Sequence, residues 1–226
     1  MVTTIYLIRH AECQGNIENK LSGITDFKLT QKGQEQAVLL ASKLKKYRIT
    51  ELYSSPLLRA VDTARTVMKE CNINLVNIAN DLHEIDYGVC DGMCWTDINK
   101  KYPKIKKEWK EVYHYPVGIP NQEDFIELQK RIKNCILKIT NDNLGKRIAI
   151  ISHGIAISSF LCLVKKLNIE ECNKLKQQEN TSYSILEYKD EKFSLIEEAK
   201  SEHLKGMILW IEKKLMKNMK NVFIFW

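Results

Sequence analysis

The 226-residue sequence predicts an α/β fold, a three-layer sandwich in which a mostly parallel central sheet is flanked by helices. Two short, nearly uniform apolar runs, Thr4 to Ile8 and Arg147 to Ser152, have the β-rich composition of strands buried on both faces. Strand and helix signals alternate between them, as in layered α/β domains. With 44% hydrophobic residues, the chain has the size and composition to bury one full core.

The first run leads into Arg9 and His10. Ligands of open α/β sheets bind beyond the carboxyl ends of the strands, so a cation and an imidazole stand where a site is expected. Such pairs also occur in purely structural networks. Thr30 caps a helix whose Ala37, Leu40, Ala41 and Leu44 share a face. Ser55 followed by Pro56 reads as an N-cap and first helical position, after which Ala60, Val61, Ala64, Val67 and Met68 recur at helical spacing. Arg59 in that first turn opposes the helix dipole, a conflict that an anion held by Arg59 and the free backbone N–H groups would resolve.

Between Leu82 and Gly92, two glycines among acidic residues predict a tight, irregular loop, with Glu84 and Asp86 as carboxyl candidates for proton transfer. Residues from about 95 to 130 are expected to form a helical cap, with Tyr113, His114 and Tyr115 as candidates to line it. The stretch from Ile148 to Val164 is too polar for a membrane span and reads as a strand followed by a core helix. His153 and Gly154 fall at that junction, where glycine leaves the backbone open to a ligand. Two histidines in the same context converge if their strands are neighbours, which favours shared chemistry over two separate structural roles.

Taken together, these segments resemble the histidine phosphatase superfamily, also called phosphoglycerate mutase-like. Arg9-His10-Ala11-Glu12 with Asn16 is similar to its first block, although glycine is more usual at the position of Ala11. Ser54 to Ala60 with Thr63-Ala64 is similar to the second, Glu84 with Gly88 and Gly92 to the third, and Ser152-His153-Gly154 to the fourth. Weaker echoes are Gly23 and Asp26 before Leu29-Thr30 and Gly33, Glu123 ahead of Arg131, and Asn180-Thr181-Ser182. The similarity runs from about Thr3 to about Glu197.

The resemblance implies a phosphoryl-transfer site with His10 as nucleophile, passing through a phosphohistidine. Arg9, Arg59 and His153 would hold the equatorial oxygens, with His153 cationic and its charge favouring a neutral His10. Glu84 would protonate the leaving oxygen and then activate water. Asn16, Ser22, Gly23, Tyr87 and Gly154 would complete substrate binding. The scheme implies no metal and no cofactor. Glu84 lies only 69 residues before His153, a short interval for a mutase, and Trp95 replaces a lysine that mutases carry. Ser22-Gly23 and Tyr87, by contrast, are similar to mutase residues. The preferred reading is hydrolysis of a small phosphomonoester, as in α-ribazole phosphatase and broad-specificity phosphatases of the family. The alternatives are a phosphoglycerate mutase and a non-catalytic phosphate-binding regulatory module.

The seven cysteines are odd in number and lack paired Cys-x-x-Cys clusters, so free thiols in a reducing cytoplasm are expected, and the N-terminus does not read as an export signal. Net charge is +7, of which residues 199–226 carry a surplus of four through six lysines against two glutamates. The domain body, residues 1–198, is therefore only mildly basic, which suits a small phosphorylated metabolite and not nucleic acid. Leu204, Ile208, Ile211, Leu215 and Met219 recur at helical spacing among those lysines. This basic amphipathic extension is expected to dock on its own domain or in a homodimer, or less favourably to contact an anionic membrane surface.

Overall fold

The computed structural model describes residues 1–103, 105 and 118–205. Its sheet has the strand order β3-β2-β4-β1-β5-β6, formed by β1 (Thr3–Arg9), β2 (Glu51–Ser54), β3 (Asn77–Ile78), β4 (Arg147–Ser152), β5 (Tyr183–Lys189) and β6 (Lys192–Lys200). The pairs β1–β4, β2–β4 and β2–β3 are parallel, whereas β5 and β6 add an antiparallel edge beside β1. The two apolar runs are thus adjacent, with Arg9 opposite Ser152 in the register.

Period-two alternation sends these strands' side chains into two cores. Ile5, Leu7, Ile148 and Ile150 pack on one side, with Leu128, Ile132 and Ile136 of the helix Phe125–Asn141 and Ile157 and Leu161 of the helix Gly154–Val164. Tyr6, Ile8, Ala149 and Ile151 pack on the other, with Leu40 and Leu44 of the helix Gln31–Leu44 and Ala60, Ala64 and Val67 of the helix Leu58–Cys71. The expected three layers result. Thr30 caps its helix as expected, its Oγ1 accepting from Gly33 N at 2.9 Å.

Several expectations are corrected. The helix after Ser-Pro begins at Leu58 and not at Pro56, and Ser55 Oγ accepts from Leu57 N at 3.3 Å while lying 2.7 Å from His153 Nε2. The Leu58 amide is capped from another loop, by Asp26 Oδ1 at 2.6 Å. Within the stretch expected as a cap, Trp95–Lys101 forms a short helix, and Phe125 and Leu128 pack in the core cluster. Tyr113, His114 and Tyr115 lie outside the described residues. Cys162 and Cys172 are joined as a disulfide, their Cα atoms 5.9 Å apart, because the turn after the helix Gly154–Val164 folds the 3-10 segment Ile169–Lys174 back against it. Cys13, Cys71, Cys90, Cys94 and Cys135 are free. The 198/199 boundary falls inside β6, and of the extension only residues up to Lys205 are described. Among the described residues, no helix is long and apolar enough to cross a membrane.

Candidate active site

The carboxyl ends of β1, β2 and β4 bring the first, second and fourth sequence blocks together. His10 N donates to Ser152 O at 3.0 Å and Ser55 N to Ile151 O at 2.9 Å, so His10, Ser55 and His153 leave the sheet side by side. The rings of His10 and His153 have centroids 5.1 Å apart. Both are buried.

His10 Nδ1 lies 2.7 Å from the carbonyl oxygen of Ala11. A carbonyl oxygen only accepts, so Nδ1 carries the proton and Nε2 keeps its lone pair. The Nε–H of Arg59 reaches that Nε2 at 3.3 Å. Burial first, and then the charges of Arg59 and Arg9, hold the His10 pKa well below the ordinary histidine value, so the ring is neutral. The same causes act on His153, again led by burial and followed by Arg59. The cationic His153 that the resemblance implies therefore runs against the direction in which its own burial pushes the ring. Ser55 Oγ, 2.7 Å from His153 Nε2, sets the ring's orientation.

Arg59 is fully buried although it opens a helix. Its guanidinium donates to the carbonyls of Thr25 at 2.9 Å, Ser22 at 3.1 Å and Gly23 at 2.6 Å. That loop is held in turn by Asp91, whose carboxylate accepts from Ile24 N at 2.7 Å and Thr25 N at 3.1 Å. The expected anion pocket of Arg59 with its helix amides does not form in that way, because Asp26 takes the Leu58 amide and carbonyls take most of the fork. What the packing delivers is a cationic edge against His10. Arg9, partly buried, donates through Nη1 to the carbonyl of Gln178. Among the described residues, neither its Nε nor Nδ1 of His153 has a hydrogen-bond partner.

Glu84, 6% exposed, projects from the irregular loop toward the start of the helix Gly154–Val164. Its carboxylate accepts from Ile155 N at 3.1 Å, Ala156 N at 2.9 Å and Ile85 N at 3.0 Å. The positive end of the helix dipole thus faces an acidic side chain. Asp86, the other carboxyl candidate, caps Gly88 N at 2.8 Å and serves the turn instead. Gly88 and Gly92 have φ of +53° and +76°, which is why this loop needs glycine.

A cavity of about 620 Å³ opens above these groups, lined by Arg9, His10, Asn16, Ser22, Glu84, Tyr87 and Gly154 among the residues expected from the sequence. Arg59, His153 and Gly23 are not on its wall; Arg59 and His153 are buried behind it. A side chain at Gly23 would run into Asp91 and the Ile85 carbonyl, so its glycine serves close packing. At Gly154 an added Cβ would stand 3.7 Å from Arg9 Nε and 3.9 Å from Glu84 Oε2, in the space between cation and acid.

Several contributors are not among the site residues expected from the sequence. Asn180 Nδ2 donates to His10 O at 3.1 Å and to Asn16 Oδ1 at 3.2 Å, which leaves the Asn16 amide nitrogen as the group able to donate into the cavity. Lys20, Phe125, Ile155, Ser158, Cys172 and residues 175–178 complete the wall. Asn180 was visible only as part of a polar triplet. The others lack a local signal, since they reach the site through the fold.

The family model of the histidine phosphatase superfamily (branch 1) matches residues 5–199. The chain belongs to that superfamily, whose similar members are named as phosphatases and phosphoglycerate mutases. It is 26% identical over 182 residues to phosphoserine phosphatase 1 of Hydrogenobacter thermophilus, covering 80% of this chain and 85% of that protein. It is 28% identical over 189 residues to the probable phosphoglycerate mutase GpmB of Shigella boydii, covering 82% and 85%. The structure of YhfR from Bacillus stearothermophilus matches with a TM-score of 0.84 at 25% identity, covering 89% of this chain and 99% of that one.

Proposed function

We propose that the protein hydrolyses a small phosphomonoester by passing its phosphoryl group through His10. The observation that carries this reading is the neutral, buried imidazole whose Nδ1 is tied to Ala11 O, leaving Nε2 as the nucleophile between Arg9 and Arg59. Attack on phosphorus forms the N–P bond as the ester oxygen leaves, and attack by water then returns the imidazole and releases phosphate. The unpartnered Nε of Arg9 and Nδ1 of His153 are suited to bind equatorial oxygens. An incoming phosphate dianion would favour protonation of His153 by its charge, making it a clamp only when occupied. Glu84 stands beside Gly154 and Arg9, where it would protonate the ester oxygen and then deprotonate the water.

Similarity to phosphoserine phosphatase 1 and lysines 20 and 176 in the cavity lining support a small, anionic phosphorylated substrate. Similarity to GpmB supports, as the second reading, return of the phosphoryl group to another hydroxyl. A panel of phosphomonoesters assayed for free phosphate, with His10→Ala as blank, tests the first reading. Conversion of 3-phosphoglycerate to its 2-isomer without free phosphate, given catalytic bisphosphoglycerate, would establish the second. A cytoplasmic location and docking of the extension on this domain or a second copy complete the proposal. Truncation after Lys205, read by molecular size and by binding to anionic vesicles, separates docking from membrane contact.

A further inference from the structure

Arg131 stands outside the cavity, on the helix Phe125–Asn141, yet all five of its N–H groups are directed at one loop and its brace. Nη1 donates to the carbonyls of Asp81 at 2.7 Å and His83 at 3.1 Å, and Nη2 to that of Glu84 at 3.4 Å. Nε and Nη2 also engage both carboxylate oxygens of Glu123, at 2.9 Å and 2.8 Å. Glu123 grips the other end of the same loop: its carboxylate accepts from Asp86 N at 3.3 Å, and its backbone N donates to Asp86 O at 2.8 Å. The carbonyl of Leu82 accepts from Ser152 Oγ at 2.8 Å, and His83 Nδ1 lies 2.6 Å from the Glu84 carbonyl beside the Arg131 contact.

From these contacts we infer that Arg131 and Glu123 form a positioning unit that fixes the backbone of Glu84, and through it the carboxylate, against the site. Residues 81–86 lack strand partners, so their carbonyls need donors from elsewhere. The planar guanidinium supplies those donors in a rigid fork that a lysine ammonium cannot reproduce. The pair is largely enclosed, with side chains 15% and 17% exposed, so its geometry is only weakly loosened by water. With the backbone pinned on one side and the carboxylate held by Ile155 N and Ala156 N on the other, Glu84 has little freedom to leave the line between Arg9 and the leaving oxygen. Proton transfer depends steeply on such placement.

The inference rests on the reading of Glu84 as the acid, and leaving-group dependence tests both separately. Nitrophenolate departs without a proton, whereas phenolate and alkoxides need one. In kcat/KM, which contains only steps up to release of the alcohol, Arg131→Lys and Glu123→Gln are expected to lose about tenfold more on phenyl phosphate than on p-nitrophenyl phosphate. Glu84→Gln should show the same pattern more strongly. Loss of fold or of phosphate binding would lower both substrates alike, and Glu123→Gln preserves the side-chain shape should Arg131→Lys fold poorly. If Glu84→Gln loses evenly on both substrates, the acid assignment falls and the positioning role with it. If Glu84→Gln discriminates while Arg131→Lys and Glu123→Gln lose evenly or not at all, the positioning role alone is overturned.

Discussion

At the scale of single residues, the site is an exercise in keeping buried nitrogen uncharged where it must attack and charged where it must hold. His10 and His153 are neutral because burial removes the water that would solvate a cation and because Arg59 stands close. Burial also lowers the pKa of Arg9, with Glu84 opposing that shift, yet a guanidinium has enough reserve to stay cationic. Tyr87 is pushed the other way, burial and then Glu84 and Asp91 raising its phenol pKa, so it stays a neutral hydroxyl in the wall. Gly154 marks the space left between cation and acid. Gly154→Ala is expected to fold normally, since its added Cβ meets only ordinary contacts, while a methyl group between Arg9 and Glu84 raises KM for any phosphomonoester. Steady-state kinetics beside a thermal melt check this, and an unchanged KM would place the phosphate elsewhere.

At the scale of elements, each strand end contributes one nitrogen or hydroxyl and a neighbouring loop secures it. Asp26 illustrates the division of labour. It caps Leu58 N across a sequence gap, so Asp26→Ala should cost about 1 kcal/mol in urea denaturation, the usual worth of an N-cap. Ser55→Ala should act mainly on turnover, because its hydroxyl orients His153. The reverse pattern would restore Ser55 as the cap. Both buried strands and the convergence of His10 with His153 were legible because apolar runs and their exits are local patterns. Ser55 was misplaced because Ser-Pro signals a helix start whether or not the hydroxyl is claimed by a distant imidazole. Asp91 and Gln178 have no local signal, and Asn180 shows only as part of a polar triplet, since their partners lie in loops that only the sheet order brings together.

For the whole molecule, packing two neutral histidines inside the fold makes stability depend on pH. Their folded pKa values lie below the unfolded value of 6.5, so acid favours the unfolded chain. The stability they allow is fully present above pH 6.5 and is lost as pH falls, at about 1.4 kcal/mol per unit for each histidine that only the unfolded state protonates. His203, brought down to about 4 chiefly by burial, adds in the same direction where the chain leaves β6. Denaturant titrations between pH 6.5 and about 5, above most carboxylates, should show this slope, and His10→Ala should flatten it. A slope unchanged in that variant would mean that His10 is already protonated in the fold. Transfer of the phosphoryl group to His10 is tested by intact-protein mass spectrometry of enzyme quenched during turnover of p-nitrophenyl phosphate. One added phosphoryl group, labile to acid, is expected on His10 and absent from His10→Ala. Label on another residue, or turnover retained in His10→Ala, would contradict that transfer.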